Sequence, residues 1–195
     1  MDIRPTALDG VLTFHPRAVH RDERGLFTRT FDASIAADHG VAFGALTQDS
    51  QSRSLPGVLR GLHGRIGRGE AKLVRVAAGA VLDVIVDARP DSRTFGQHVA
   101  LVLDDTDFTA VYIPAGLLHG FQVISSTPAD VAYRIDTPHD PSEDVTVRYD
   151  DADLGIVWRP GSPIVSPRDA AAGSWASFVA RGHAARSSVS STPEA

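Results

Sequence analysis

The sequence predicts an all-β domain, built as a sandwich or a barrel. Runs rich in β-branched and apolar residues recur at roughly ten-residue spacing between residues 73 and 151. Gly, Pro and Asp residues that favour turns separate these runs, and helix signals are few. Short strands at such regular spacing are typical of double-sheet or closed β architectures, in which a roomy interior can enclose a ligand.

The strand-like runs follow one another through the middle of the chain. They lie in residues 73–92 (two runs), 97–105, 109–125 (two runs), 130–137 and 144–151. Ala78-Gly79 and Pro114-Ala115-Gly116 divide the two double segments at residues that favour turns. The last two segments alternate apolar and polar residues most regularly, as expected for strands with one buried face.

Two short helices are predicted at the periphery of this β domain. Residues 31–40 end at Gly40, a residue type that commonly follows the last turn of a helix. Residues 174–187 place apolar side chains at helical spacing, at positions Trp175, Phe178 and Val179.

The chain length predicts one domain followed by a short tail. The chain has 195 residues, and no repeat or linker divides them. Residues 1–186 are therefore predicted to form a single domain that includes the C-terminal helical segment. Residues 187–195 are small and polar, which predicts a disordered tail.

The composition argues against several functional classes. A net charge of −5 provides no basic excess to displace counterions, so nucleic acid is not an expected partner. The absence of cysteine excludes disulfides and thiol nucleophiles, and it fits a cytoplasmic location. The N-terminal residues lack the pattern of a signal peptide, and no apolar run is long enough for a membrane span. We therefore expect a soluble cytoplasmic protein without a membrane partner.

One lysine, Lys72, stands among the nineteen Lys and Arg residues of the chain. An ammonium is a compact point donor, whereas a guanidinium is a planar fork. The lysine lies nine residues after His63, beyond a glycine-rich segment. A need for a compact cation against a specific group would explain why position 72 is lysine. A chance bias of the whole chain toward arginine would explain the single lysine equally well.

Metal catalysis and serine hydrolysis are both disfavoured. His63 is followed by Gly64 and Arg65, so the paired His-x-His element of metal-binding β-barrels is absent, and Arg65 and Lys72 would repel a cation. There is no Gly-x-Ser-x-Gly elbow, and the glycine-rich residues 64–69 lack the end of a phosphate-binding loop. The histidine, lysine, tyrosine and carboxylate residues that remain suit proton abstraction beside a carbonyl group.

The sequence resembles the dTDP-4-dehydrorhamnose 3,5-epimerase family, which acts on dTDP-4-keto-6-deoxyglucose. The resemblance runs from about Leu12 to Asp169. Eight segments in the same order carry it, namely DERGLF (22–27), GVLRGLH (57–63), AKLVRV (71–76), LDVIVDARPDSRTFGQ (82–97), YIPAGLLHGF (112–121), AYRIDTPHDPSE (132–143), DADLGIVW (151–158) and PIVSPRD (163–169). The resemblance implies a cupin-type jelly roll with short peripheral helices, acting as a homodimer without a metal or other cofactor.

The resemblance also implies catalytic roles for four residues and a substrate-binding role for His119. His63 matches the base that removes a proton next to the C4 ketone, and Asp169 matches the carboxylate that orients it. Tyr133 matches the acid on the opposite face of the sugar ring. Lys72 and His119 match a pair beside the C4 oxygen, where a compact ammonium would stabilise a developing enolate.

Further matches imply residues that bind the substrate, a nucleotide-linked sugar. Arg60, Gln48 and Arg168 match positions that hold the nucleotide diphosphate. Arg24 matches a residue that one subunit lends to the site of its dimer partner. Asp83 matches an acid behind the first layer of site residues.

The sequence departs from the family pattern at the walls of the substrate pocket. Gly64 replaces an aromatic residue, and we expect this to enlarge the pocket beside His63. Arg29 replaces a glutamate that faces the nucleotide base, so weak discrimination between thymidine and uridine is expected. Ser50 replaces an asparagine, and His139 replaces a second tyrosine in the substrate-binding set.

Two classes of function follow from the resemblance and its departures. The first is an epimerase in deoxysugar biosynthesis that inverts C3, C5 or both in a nucleotide-linked 4-keto-6-deoxyhexose. The second is a sugar-nucleotide-binding cupin that has no turnover or catalyses ketoisomerisation. The joint presence of an acid and a base favours the first class, in which a monoepimerase for an antibiotic sugar is one form.

Overall fold

The computed structural model describes residues 1–43 and 48–189 of the chain. Two antiparallel sheets carry most of the strands. In spatial order, the six-stranded sheet contains β1 (Asp2–Pro5), β2 (Leu12–His15), β10 (Ala110–Ile113), β7 (Lys72–Ala78), β12 (Ala129–Ile135) and β5 (Gln48–Ser54). The five-stranded sheet contains β13 (Asp144–Thr146), β6 (Leu59–Arg65), β11 (Leu117–Val123), β8 (Ala80–Asp87) and β9 (His98–Asp104).

The strand order is that of a jelly roll. Along the chain, strands β5 to β12 alternate between the sheets except at the hairpin of β8 and β9, so that one sheet contains the order β5-β12-β7-β10 and the other the order β6-β11-β8-β9. Two four-stranded sheets interleaved in this way form the double Greek key of a jelly roll. The predicted all-β class and jelly-roll architecture are therefore confirmed.

The predicted strand segments agree closely with the observed strands. The two runs in residues 73–92 are β7 and β8, and the two runs in residues 109–125 are β10 and β11. Residues 144–151 form a strand only at their start, in β13. A separate two-stranded ribbon, β3 (Val19–Asp22) and β4 (Gly25–Thr28), joins neither main sheet.

The main core lies between the two sheets, and side chains from both line it. Val74 and Val131 of one sheet and Ile85 and Phe121 of the other belong to this cluster, and each is at most 2% exposed. Alternation along each strand sends every second side chain into this layer. The open end of the same layer provides the space for a site.

Three short helices accompany the sheets, and α1 and α3 lie in the two segments where helices were predicted. Helix α1 (Ala33–Ala37) begins at Asp32, whose side chain accepts hydrogen bonds from the N–H groups of Ser34 and Ile35. Helix α2 is Pro167–Ala170. Helix α3 (Trp175–Val189) packs Trp175 against the outer face of the five-stranded sheet.

The C-terminal helix extends slightly beyond the residues predicted for it. Helix α3 continues to Val189, three residues past the predicted end of the domain at 186. Residues 190–195 of the predicted tail lie outside the described residues. Within the described part of the chain, no helix combines the length and apolarity needed to cross a membrane.

Candidate active site

A cavity of about 250 Å³ lies between the two sheets at one end of the sandwich. Polar and titratable side chains from both sheets face it. It is lined by Ser50, Arg60, His63, Glu70, Lys72, His119, Gly120, Phe121, Tyr133 and Ile135. Five residues chosen from the sequence are therefore brought together here, although they come from four strands.

His63 lies on β6 and is held from behind by Asp169 of α2. The Nε2 atom of His63 is 2.7 Å from Oδ1 of Asp169. The His63 side chain is 40% exposed, while that of Asp169 is 3% exposed. Because a carboxylate only accepts hydrogen bonds, Nε2 donates to it and the lone pair of the neutral imidazole is at Nδ1. The contact places Asp169 where it can orient His63, and their roles as base and orienting acid remain a prediction.

Asp169 is itself fixed by the backbone around it. Its backbone N–H donates to the side chain of Ser166, which caps α2, at 3.1 Å. Its Oδ2 accepts from the backbone N–H of Gly61 at 3.4 Å. Both carboxylate oxygens therefore have partners, so the orientation of His63 is determined by α2 and β6 together.

Strands β6 and β11 approach closely beside this pair because two glycines face each other. A Cβ atom built on Gly61 would lie 2.5 Å from the Cα atom of Gly120, a distance that no side chain tolerates. Gly61 also has a φ of +132°, a left-handed conformation that favours glycine. The approach sets His63 directly opposite His119 in the strand register.

His119 of β11 is buried and bonded to Asp83 of β8. The Nε2 atom of His119 is 2.8 Å from Oδ2 of Asp83, and both side chains are at most 6% exposed. With Nε2 donating to the carboxylate, Nδ1 can donate to a ligand only when the ring is cationic. Asp83 therefore stands behind His119, as the resemblance implies.

Tyr133 enters the cavity from β12, on the facing sheet. Its ring packs edge-on against His119, with 6.3 Å between ring centroids, and its hydroxyl lies 3.3 Å from Oγ of Ser52. Burial raises the pKa of Tyr133 to about 12, and the nearby Asp83 carboxylate acts in the same direction. The phenol therefore carries its proton at neutral pH and can donate it.

Lys72, at the start of β7, also faces the cavity and is almost fully buried. Its side chain is 8% exposed, and Nζ donates to Oε1 of Glu70 at 2.9 Å. Lys72 pairs in register with Ile135 of β12 and Ile113 of β10. A buried ammonium at this place requires a carboxylate partner, which Glu70 provides.

Arg60 is the fifth predicted residue at the cavity, and its Nε donates to Oγ of Ser54 at 2.9 Å. The other residues predicted to bind the substrate are not among those that line this cavity. Arg168 and His139 both lie beside Asp144, at 3.6 Å and 3.3 Å. Gln48 is exposed at the start of β5.

Two further arginines of the predicted binding set make ion pairs at the surface. Arg24, in the turn of the β3–β4 ribbon, pairs with Asp22 and is 85% exposed. Arg29 pairs with Asp32 and is 69% exposed. The roles of Arg24 and Arg29 in binding remain predictions.

The expectation that Gly64 enlarges the pocket beside His63 is wrong. Side chains alternate along β6, so position 64 faces the opposite side of the sheet from His63. A Cβ atom at Gly64 would lie 2.8 Å from Cδ2 of Leu118 and 2.9 Å from the carbonyl oxygen of Leu117. Glycine at this position therefore accommodates the outer apolar layer and leaves the cavity unchanged.

Two site residues escaped the sequence analysis, Glu70 and Ser52. Glu70 lines the cavity and pairs with Lys72, and Ser52 bonds to Tyr133. Glu70 lies in the loop before β7, so strand alternation gave no signal for it. Ser52 offered no signal either.

The charged groups near the cavity do not assemble into a metal site. Within residues 1–43 and 48–189, no three or more His, Asp or Glu side chains are grouped so that they could hold a metal ion. Independence from metals remains a prediction about the activity.

Comparison with known proteins places this geometry in a family. The profile of the dTDP-4-dehydrorhamnose 3,5-epimerase family matches residues 5–177. The dTDP-4-dehydrorhamnose 3-epimerase of Streptomyces niveus is 37% identical over 170 residues, which cover 87% of this chain and 81% of that protein.

Two solved structures resemble this chain in both fold and sequence. The 4-keto-6-deoxy sugar epimerase NovW, from the novobiocin biosynthetic gene cluster of Streptomyces spheroides, has a TM-score of 0.88 at 36% identity, covering 93% of this chain and 91% of its own. The dTDP-6-deoxy-D-glucose-3,5-epimerase of Legionella pneumophila, in complex with dTDP-4-keto-L-rhamnose, has a TM-score of 0.83 at 39% identity, covering 89% and 92%. The chain belongs to the dTDP-4-dehydrorhamnose 3,5-epimerase family, whose members are isomerases.

Proposed function

We propose that this protein epimerises a nucleotide-linked 4-keto-6-deoxyhexose at carbons next to the ketone, in deoxysugar biosynthesis. The observation that carries the proposal is the opposition of a base and an acid across one cavity. His63 lies on the five-stranded sheet and Tyr133 on the six-stranded sheet. Inversion at carbon requires a proton to leave one face and another to arrive at the opposite face, which two facing sheets can serve.

The first step is removal of a proton from the carbon next to the ketone. Nδ1 of His63 accepts this proton, because Nε2 is engaged with Asp169. The electron pair of the C–H bond forms the enolate, whose negative charge gathers on the C4 oxygen. Lys72 stabilises that oxygen as a donor, and His119 does so through Nδ1 when its ring is cationic.

The second step returns a proton from the other side of the ring. Tyr133 can serve here because it enters the cavity from the sheet opposite His63, and its hydroxyl, whose pKa burial raises to about 12, carries a proton at neutral pH. The phenolate that forms then regains a proton, and His63 releases the one it accepted, so the enzyme is restored. In heavy water each inversion therefore introduces one deuterium at the inverted carbon.

The test is incubation with dTDP-4-keto-6-deoxyglucose in heavy water, with NMR detection of deuterium at C3 and C5. His63→Ala should lower exchange by ~10²–10⁴-fold, the usual effect of losing a positioned base. Binding of dTDP and the melting temperature should be retained. The matched control is His98→Ala, on the edge strand β9. Near wild-type exchange in His63→Ala would contradict the assignment.

Inversion at C3 alone is the second candidate. It is a candidate because the 3-epimerase of Streptomyces niveus is 37% identical to this chain, although 3,5-epimerases are equally similar and identity alone does not separate the two. Gly64 gives it no support, since that position faces away from the cavity. Deuterium at C3 without C5 would select this candidate, while equal rates at both carbons would select double epimerisation. Parallel assays with dTDP- and UDP-linked substrates also test whether Arg29 weakens the discrimination between thymidine and uridine nucleotides.

We further propose a homodimer formed through the β3–β4 ribbon. The ribbon carries the exposed apolar side chains Leu26 and Phe27, which are 45% and 69% exposed. Pairing with a partner would cover them and bring Arg24, at the ribbon's turn, toward the partner's site. Exposed apolar side chains on a projecting element favour such an association.

Cytoplasmic localisation stays a prediction from the cysteine-free sequence.

A further inference from the structure

A chain of charged side chains of alternating sign extends from Lys72 away from the cavity. Nζ of Lys72 donates to Oε1 of Glu70 at 2.9 Å, and a guanidinium nitrogen of Arg65 lies 3.1 Å from Oε2 of Glu70. Nε of Arg65 lies 3.6 Å from Oδ1 of Asp144. The side chains of Arg65, Glu70 and Lys72 are between 7% and 11% exposed. Three charges are therefore nearly buried beside the proposed reacting atoms.

Glu70 cannot leave this arrangement without leaving buried charges unpaired. Its Oε2 has Arg65 as an ion-pair partner at 3.1 Å and accepts no hydrogen bond from any described residue. The neighbouring backbone is held as well, since the N–H of Ala71 donates to Asp136 at 2.8 Å. Removing one member of a buried ion pair is strongly unfavourable. The position of Glu70 is therefore well determined.

This pairing restricts a side chain that is otherwise flexible. Lysine has a four-carbon stem and three donors that rotate freely. With one N–H engaged by Glu70, the remaining two are directed by the same contact. A donor that is already oriented stabilises a developing oxyanion without reorganisation during the reaction. Glu70 thus supplies the orientation that Lys72 lacks by itself.

A carboxylate near an enolate would by itself oppose the negative charge, and Arg65 removes this objection. The charges of Arg65, Glu70 and Lys72 sum to +1, and Asp144, which pairs with Arg65, has Arg168 beside it at 3.6 Å, so the whole chain of charges also sums to +1. Arg65 is held in turn by Asp144 and by the carbonyl oxygen of Pro138, to which it donates at 3.0 Å. The arrangement keeps the orienting effect of the carboxylate without making the site anionic.

We propose that Glu70 is a positioning residue that fixes the ammonium of Lys72 against the ketone oxygen of the substrate, with Arg65 offsetting its charge. This inference rests on the proposed function, in which Lys72 stabilises the enolate. Glu70 acts through Lys72 and does not exchange protons with the substrate. Its loss should therefore affect the chemical step far more than the binding of the nucleotide.

The kinetic test compares Glu70→Ala and Glu70→Gln in the full chain. A misplacement of about 1 Å can cost on the order of 100-fold in rate, so Glu70→Ala should lower kcat by ~10–100-fold. The KM for the sugar-nucleotide substrate should change by less than about threefold. The Kd for dTDP should change as little, because dTDP has no ketone for Lys72 to contact. Glu70→Gln keeps an acceptor without the charge and should fall between Glu70→Ala and the unchanged enzyme. The control is Asp150→Asn, which breaks a surface pair with Arg148.

A second measurement reads the position of Lys72 without any turnover. Because Lys72 is the only lysine, ¹³C-lysine labelling yields a single side-chain ε-carbon signal that needs no assignment. Relaxation of this signal reports how strongly the ε-carbon is held on the ps–ns timescale. We expect a rigid ε-carbon in the unchanged protein, a mobile one in Glu70→Ala, and intermediate mobility in Glu70→Gln.

The outcomes separate the two proposals. An unchanged ε-carbon mobility in both Glu70 variants would overturn the positioning role, as would an unchanged kcat. A parallel loss of kcat and dTDP affinity would also overturn it, because a general structural effect would produce that result. A wild-type protein without deuterium exchange would overturn the epimerase function, while the lysine signal would still decide whether Glu70 fixes Lys72.

Discussion

Replacing Asp169 by Asn tests how the site selects the basic nitrogen of His63. The substitution preserves the side-chain shape, and it exchanges one acceptor oxygen for an NH₂ donor. In the unchanged protein, Oδ1 faces Nε2 of His63 at 2.7 Å and Oδ2 faces the N–H of Gly61 at 3.4 Å. The amide oxygen must take the place next to the Gly61 donor, because the NH₂ group there would oppose another donor. The NH₂ group then faces His63.

This orientation moves the proton on the imidazole ring to the wrong nitrogen. Nε2 must now accept from the amide, so the neutral ring carries its proton on Nδ1, which can no longer act as the base. Loss of a positioned base costs ~10²–10⁴ in rate, and a central value of ~10³ corresponds to about 4 kcal/mol at 1.36 kcal/mol per decade. KM should change little, since Asp169 is 3% exposed and lies behind His63.

The assay is deuterium exchange in heavy water, combined with ¹⁵N NMR of the histidine rings to identify the tautomer. Asp150→Asn, at a surface pair with Arg148, controls for the chemistry of the substitution. Retention of more than about a tenth of the wild-type rate would refute this account of the pair. An unchanged tautomer of His63 together with a large loss of rate would refute the orientation argument.

Four further predictions follow from the site and the fold. Lys72→Arg should lose nearly as much activity as Lys72→Ala, about 3 kcal/mol of transition-state stabilisation, because a planar guanidinium cannot take the buried point position beside Glu70; a fully active Lys72→Arg enzyme would contradict this. Activity should survive exhaustive EDTA treatment, and elemental analysis should find less than stoichiometric metal; loss of turnover on removing a bound metal would contradict it. Light scattering should give about twice the 20.7 kDa chain mass, whereas a fully active monomer would exclude the shared site. Asp87→Asn should destabilise the fold by about 2 kcal/mol near neutral pH, because the folded protein lowers the pKa of Asp87 to about 2. Burial acts to raise this pKa, but hydrogen bonds from Arg89, Ser92 and Thr94 to the carboxylate lower it by more. That difference between variant and wild type should be complete above about pH 4 and should shrink as the pH falls toward 2, as measured by denaturant unfolding; a constant difference would contradict it.

Local patterns in the sequence were sufficient for the class of fold and for much of the site. Strand runs separated by turn residues predicted the sandwich, because alternation and turn chemistry are properties of neighbouring residues. The motifs around His63, Tyr133 and Asp169 pointed to one family, and the cavity brings the first two together with Asp169 behind them. The single lysine marked a position that is indeed buried and charge-paired.

Contacts between distant parts of the chain were beyond what the sequence alone determined. His63 and Asp169 are 106 residues apart, and only the packing of α2 against β6 makes them partners. The face occupied by Gly64 depends on the phase of β6 relative to the cavity, so the expected pocket change was wrong. The pairing of Glu70 with Arg65 and Lys72 is local in sequence, but it depends on the conformation of the loop between β6 and β7, which periodicity does not specify. Periodicity acts over a few residues, whereas register and sheet closure depend on the whole chain, and these decided the geometry of the site.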